Sequence, residues 1–361
     1  MKKFLFLILS VFLAFTFALS GCSCAPESFL EFETVTTNNI KTETLVYDVE
    51  WRENYKSITL SQDINKALLP TYEGSLTLEF NSTGKQLPND ADGNQIPQHI
   101  KFDQIETFNY IKSVLDLKVK IGEDEYNDKI ISEVYFYDAE WALAPVYSKT
   151  TVKNTFIAMT AKEIEADQNI YEYTTLYKNG NFTFTKKYYN KQKNEDINLV
   201  DIENLDQTKM KSLSGNGSSH EYGLRKAIDN VQLIFAIRNS NIKKDKSTTL
   251  PTITYMYNNP MNLLVKNESE SSSPVNFDYN GVNIESNMLT KNLTISLSGT
   301  NHVGSKKYLT LQRDSLQIDS LNNLANYSLP IEYAESIFEN ISFNTIGALV
   351  YKLKSVDITT K

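Results

Sequence analysis

Ile170-Tyr-Glu-Tyr-Thr-Thr-Leu-Tyr-Lys178, then Asn179-Gly180, then Asn181-Phe-Thr-Phe-Thr-Lys-Lys-Tyr-Tyr189 is the stretch that decides the fold. Both flanks are rich in Tyr, Phe and Thr, whose side chains suit a pleated, half-buried surface. Asn and Gly tolerate positive φ, so the pair between the flanks predicts a tight hairpin turn. The same grammar recurs in Val275-Asn-Phe-Asp-Tyr279, Asn280-Gly281 and Val282-Asn-Ile-Glu285. Two such hairpins predict neighbouring antiparallel strands.

Further strands read outward from these by alternation or β-rich composition. They are Leu45–Trp51, Ser75–Phe80, Ile130–Tyr137, Val152–Thr160, Thr252–Tyr257, Asn262–Lys266, Leu293–Leu297, Tyr308–Gln312 and a closing run from Ile346 to Val356. Three helices are expected between them. Asp103-Gln-Ile-Glu106 has the capping-box pattern, and Phe102, Ile105, Phe108, Ile111 and Val114-Leu115 recur at spacings of three and four, giving a helix to about Leu117. Leu224, Ala227, Ile228, Val231, Ile234 and Phe235 share a helical face. Ser328-Leu-Pro330 opens a short third helix carrying Ile331, Ala334, Ile337 and Phe338.

Residues 81–98, Gly122–Asp128 and Glu268–Pro274 read as loops. The fold class is therefore α+β: mainly an antiparallel sheet, curved or half-barrel, with a few amphipathic helices. Residues 1–21 read as a leader, 22–44 as a tether, and 45–211 as an N-terminal α+β region. Ser212–Ser219 is a Ser/Gly-rich linker, and 220–361 form a C-terminal α+β region that can join the first in one domain.

The leader fixes an address. Lys2 and Lys3 precede an apolar run, Phe4 to Leu19, broken by Ser10 and Thr16. Its sixteen residues are short for a membrane-spanning helix and suit a signal-peptide core. Leu19-Ser20-Gly21-Cys22 follows directly. This resembles the lipobox of bacterial lipoproteins, a resemblance confined to residues 1–22. It implies cleavage before Cys22, a diacylglycerol on the Cys22 thiol, and a mature chain held by lipid outside the cytoplasm. The membrane would be the cell membrane, or the outer membrane of a Gram-negative source. A thiol is also the nucleophile such alkylation needs.

Composition narrows the function classes. The formal charge is −8, and −10 once Lys2 and Lys3 are removed, which disfavours nucleic acid as a partner. The cysteines are Cys22 and Cys24, so an acylated Cys22 leaves the fold without an internal disulfide. No dinucleotide or phosphate-loop glycine pattern occurs, and no cofactor is expected. Asp90-Ala-Asp-Gly-Asn94 resembles part of a calcium loop, but aligning Gly93 puts Pro88 and His99 at the outer ligand positions. It reads as an Asx-rich turn, and no metal site is expected. His99, His220 and His302 are not spaced as metal pairs. Ser218-Ser219-His220 lacks a nucleophile elbow and reads as a helix N-cap. No catalytic residue emerges.

What remains is aromatic content, 21 Tyr and 18 Phe. Tyr135 and Tyr137 share one strand face, placed to line the concave side of a curved sheet under one of the helices. The expectation is a tethered protein that works by binding a hydrophobic, sugar-like or protein ligand. Its alternative is an envelope interaction protein without a small-molecule pocket. The lipid expectation has a direct check: Cys22→Ala should abolish incorporation of a fatty-acid analogue and release the chain from membranes. Labelling that persists in the variant rules the assignment out.

Overall fold

The computed structural model describes residues 40–53, 70–89, 107–139, 142–153, 170–178, 181–190, 195–212, 219–221, 227–238, 242–253, 261–297, 307–312, 329–338 and 345–360. In chain order the strands are β1 (Ile40–Arg52), β2 (Thr71–Lys85), β3 (Phe108–Ile121), β4 (Asp124–Ala139), β5 (Ala142–Lys153), β6 (Ile170–Lys178), β7 (Asn181–Tyr189), β8 (Met210–Ser212), β9 (Ser219–Glu221) and β10 (Ile228–Asp229). A helix, α1 (Leu233–Arg238), follows, then β11 (Ser247–Ile253), β12 (Met261–Tyr279), β13 (Val282–Leu297), β14 (Lys307–Gln312), β15 (Pro330–Phe338) and β16 (Thr345–Thr360). All strands belong to one curved sheet in the order β10-β11-β12-β13-β14-β15-β16-β1-β2-β3-β4-β5-β6-β7-β8, with β9 also on β7. Antiparallel pairs dominate, as the sequence predicts; β10–β11 and β12–β16 are parallel.

The strands flanking both Asn-Gly pairs are paired, while Asn179 and Gly180 themselves lie outside the described residues. Lys178 pairs with Asn181, and Tyr171 with Tyr188. Tyr279 pairs with Val282, and at the turn Asn280 has φ 46° and Gly281 φ 82°. The Asn280 side chain then reaches β16. Its carbonyl accepts from Ile358 N at 2.8 Å, and its amide donates to Ile358 O at 3.2 Å. Beside it, Asp278 and Tyr279 pair with Ser355 and Val356. Strands β12 to β16 thus form a closed circuit of pairings. The first and last described strands also pair, Leu45 with Val356, so the sheet runs through both the 45–211 and 220–361 regions.

Several sequence expectations are corrected. The 103–117 helix is strand β3 where described, from Phe108. Phe108 and Tyr110 pack on one face of β3 while Ile111, Leu117 and Val119 pack on the other. A strand buried on both faces loses its alternation, and apolar spacings of three and four arise without a helix. The third expected helix is β15, for the same reason. The acidic loop Gly122–Asp128 is a hairpin: Gly122 at φ 63° opens a two-residue turn and Asp124 already pairs with Ile121. The Ser-rich loop Glu268–Pro274 is the middle of β12. Its hydroxyls bond across the pair: Ser273 Oγ lies 2.9 Å from Thr290 Oγ1, and Asn292 Nδ2 donates to Ser271 Oγ at 3.0 Å. Small polar residues there complete a cross-strand network. Strand β2 continues to Lys85 and β1 starts at Ile40, inside the expected loop and tether. The second helix survives only as α1; Ser219 and His220, expected at its start, pair with Thr183 and Phe182. Residues 1–39, Asp90–Asn94, His99 and His302 lie outside the described residues, as does most of the Ser212–Ser219 linker.

The hairpin tip yields a prediction. A Cβ on Gly281 would meet nothing within 4 Å, so only its backbone conformation resists substitution. Gly281→Ala should lower stability by about 1–2 kcal/mol, and Gly281→Asn by less. Urea midpoints measure this; an unchanged midpoint for the Ala variant would show that the left-handed turn is not required.

Candidate functional site

The inner face of the sheet is covered by the chain itself. Asp229 starts a capping box on the 3₁₀ turn Asn230–Gln232 that leads into α1: its carboxylate accepts from Val231 N at 2.9 Å, while Gln232 Oε1 accepts from Asp229 N at 2.9 Å. The amide of Gln232 donates to Leu143 O of β5 at 3.2 Å, and Tyr177 of β6 donates its hydroxyl to Asp229. These bonds hold the β10 end of the sheet path against β5 and β6. Burial pushes the Asp229 carboxyl above its ordinary range, opposed by hydrogen bonds from Ser148, Tyr177 and Val231.

Beyond this cap, Leu233, Phe235, Ala236 and Ile237 are buried in the main core with β1–β4 and β11–β13. Phe235 sits 6.1 Å from Phe80 of β2. Arg238, at the helix C-terminus where a cation is favoured, places Nη1 2.8 Å from Glu43 Oε2 and 3.0 Å from Oε1. The two side chains are 2 % and 0 % exposed. Burial raises the Glu43 carboxyl and Arg238 pulls it back only in part. Close by in β1, buried Tyr47 donates its hydroxyl to Pro330 O at 2.9 Å, and Glu43 adds to the burial that pushes its phenol upward.

Tyr135 and Tyr137 lie on the opposite face of β4. Val134 and Phe136 point into the core that holds α1, so the residues alternating with them point outward. Tyr135 is 7 % exposed and packs between Tyr110 and Tyr147, at ring-centre distances of 5.0 and 6.0 Å. Burial first, then nearby Glu133, raises its phenol to about 12. Tyr110 donates to Glu133 at 2.7 Å, and Lys85 Nζ sits 3.9 Å over the Tyr110 ring. Tyr137 and Leu176 are half-buried at the margin of this cluster. Towards the other end of the same face, the 195–210 segment covers Ile131, Ile170 and Tyr189 through Ile202, and Lys153 Nζ donates to Asn198 O and Val200 O at 3.3 and 3.4 Å. Among the described residues, no group of three or more His, Cys, Asp or Glu side chains is placed to hold a metal ion.

No family model matches the chain, and no curated protein matches it. Among solved structures, the crystal structure of a beta-barrel-like protein of domain of unknown function DUF1849 from Brucella abortus is similar, at 9% identity and a TM-score of 0.43. The match covers 89% of this chain and 98% of that one. A likeness at this level assigns neither a family nor a function.

Nothing in the sequence pointed to Glu43 and Arg238, which are 195 positions apart and meet only through the curl of the sheet. Their pairing is testable. Arg238→Ala leaves a buried carboxylate without its counter-charge and should cost about 3–5 kcal/mol. The double variant Glu43→Leu/Arg238→Met should recover most of that loss. Chemical denaturation of all three proteins gives the coupling; a double variant no better than Arg238→Ala would refute the assignment.

Proposed function

We propose that this chain is an extracytoplasmic lipoprotein, tethered through a diacylglycerol on Cys22, that works by binding a hydrophobic or sugar-like ligand. The observation that carries the reading is the Tyr110–Tyr135–Tyr147 cluster, with Tyr137 and Leu176 at its margin. It gathers aromatic rings, buried at Tyr110, Tyr135 and Tyr147 and half-buried at Tyr137, on the sheet face turned away from the core under α1. Aromatic rings edged by a hydroxyl, a carboxylate and an ammonium are suited to an apolar or hydroxyl-bearing ligand. The site therefore lies on the outer face of β3–β6, where Tyr135 and Tyr137 are, and the inner face under α1 belongs to the core.

A second reading has an observation of its own. The inner face is filled by Phe235, Ala236 and Ile237, 0–4 % exposed. That packing favours an envelope protein whose outer face meets another protein.

The two tyrosines separate stability from binding. Tyr135→Ala removes a buried ring and should destabilise by about 3 kcal/mol. Tyr137→Ala should fold normally and lose ligand. Mass spectrometry of protein purified gently from its own membrane should find a small molecule on the wild-type chain and less on Tyr137→Ala. None on either defeats the small-molecule reading and leaves protein interaction, and equal amounts on both rule out Tyr137 as part of the site.

A further inference from the structure

The tip of the β12–β13 hairpin closes the circuit from β12 to β16, and a single side chain completes that closure. Among the described residues, β12 and β16 pair at only two register positions, Asp278 with Ser355 and Tyr279 with Val356. Beyond them the chain has already turned, with Asn280 at φ 46° and Gly281 at φ 82°. Asn280 then continues the ladder. Its backbone N donates to Val356 O at 2.9 Å. Its side-chain carbonyl accepts from Ile358 N at 2.8 Å, and its side-chain amide donates to Ile358 O at 3.2 Å. An Asn side chain carries the donor and acceptor of a peptide group, so here it stands in for one more strand residue.

The same side chain stands in a reactive setting, since Asn is a thermolabile residue. Glycine follows it, so no side chain shields the next backbone nitrogen. A Cβ on Gly281 would meet nothing within 4 Å. Both residues are exposed, so water reaches them. What holds the reaction back is hydrogen bonding. The Gly281 N–H, the nucleophile, is donated to Asp278 Oδ1 at 2.7 Å. A carboxylate that accepts this proton opposes its loss. The carbon to be attacked belongs to the very amide that Ile358 clamps.

We propose that Asn280 is a deamidation site guarded by the closure it makes, so that reaction follows opening of β12 from β16 and then prevents reclosure. In the open form Gly281 N bonds to Asn280 Cγ, its proton goes to a solvent base, and the Cγ–Nδ2 bond breaks to release ammonia. Water then opens the resulting succinimide at either carbonyl, giving aspartate or iso-aspartate. The sum is asparagine plus water giving aspartate plus ammonia, with no change in oxidation state. The product keeps an acceptor for Ile358 N but has lost the donor. An ionised oxygen stands where the amide nitrogen was, facing Ile358 O. Two acceptors face to face repel and leave the carbonyl unanswered. The iso-aspartyl form also lengthens the backbone of a tight turn by one carbon. The hairpin tip is thus a one-way latch, whatever the chain binds.

The full mature chain is incubated at mildly alkaline pH, native and in urea, and the peptide carrying Asn280 is followed by mass spectrometry. Asn179, also followed by glycine, is the reference in urea. Asn280 should convert in urea at the rate of Asn179, and at least about tenfold more slowly in the native chain, the equivalent of one intact hydrogen bond. Asp278→Ala releases the Gly281 N–H and should speed conversion in the native chain but not in urea; should this variant fail to fold, the wild-type comparison decides alone. Asn280→Asp makes the product directly, whereas Asn280→Gly keeps the turn, lacks the clamp and adds no charge. Tm at neutral pH should fall in the order wild type, Asn280→Gly, Asn280→Asp. Three results overturn the proposal. Conversion as fast in the native chain as in urea means that the clamp guards nothing. No conversion of Asn280 in urea while Asn179 converts means that it is not a site. A Tm for Asn280→Asp equal to that of the wild type means that the product still latches.

Discussion

The Glu43–Arg238 pair is the contact on which the placement of the core depends. A curved sheet of this width presents its concave face to itself, and that apolar face must be covered. The cover is a six-residue helix, far too short to persist alone. Its apolar side chains gain by burial but do not say where on the sheet they should lie, because one patch of Leu, Phe and Val resembles another. A guanidinium at the helix end does say. Shifted by a turn, Arg238 would be buried without a counter-charge, and Glu43 with it. Such a pair adds little net stability compared with apolar residues of the same size, yet each half is costly without the other. Its contribution is position. The capping box at Asp229 fixes the other end of the segment through Tyr177 and Gln232, so the segment is pinned to β1 at one end and to β5 and β6 at the other.

How much of this could be read in the chain follows from which interactions are local. The Asn280-Gly281 turn was legible because the backbone conformation it needs is encoded in the two residues that adopt it. Strands with one polar face, such as β1, were legible by alternation. Strand β3 was not, because Phe108 and Tyr110 serve one packed face while Ile111 and Leu117 serve the other, and a helical spacing results by accident. The middle of β12 was hidden for the opposite reason. Ser271 and Ser273 look like loop residues until Thr290 and Asn292 stand across from them. The Glu43–Arg238 pair left no trace, since nothing local marks a charge whose partner comes from a distant strand.

The candidate sites share that limit. Alternation placed Tyr135 and Tyr137 on one face, and the structure keeps them there. Which face turns outward is set by where α1 packs, and α1 is placed by Arg238. Aromatic content alone therefore puts these tyrosines on the concave side, whereas the core takes Val134 and Phe136 instead. The inner aromatic rung was further from reach. Trp51, Tyr72 and Tyr126 come from three strands, and their adjacency is a product of register.

Register also gives that rung its chemical character. Along most of the inner face, polar atoms are either absent or answered: Tyr47 by Pro330, Gln232 by Leu143, Asp229 by Tyr177. These bonds join segments distant in sequence. Trp51 Nε1, the Tyr72 hydroxyl and Asn267 Oδ1 are not answered among the described residues, although the aromatic carbon of Trp51 and Tyr72 is packed. Phe at either aromatic position would supply the ring without the desolvated N–H or O–H.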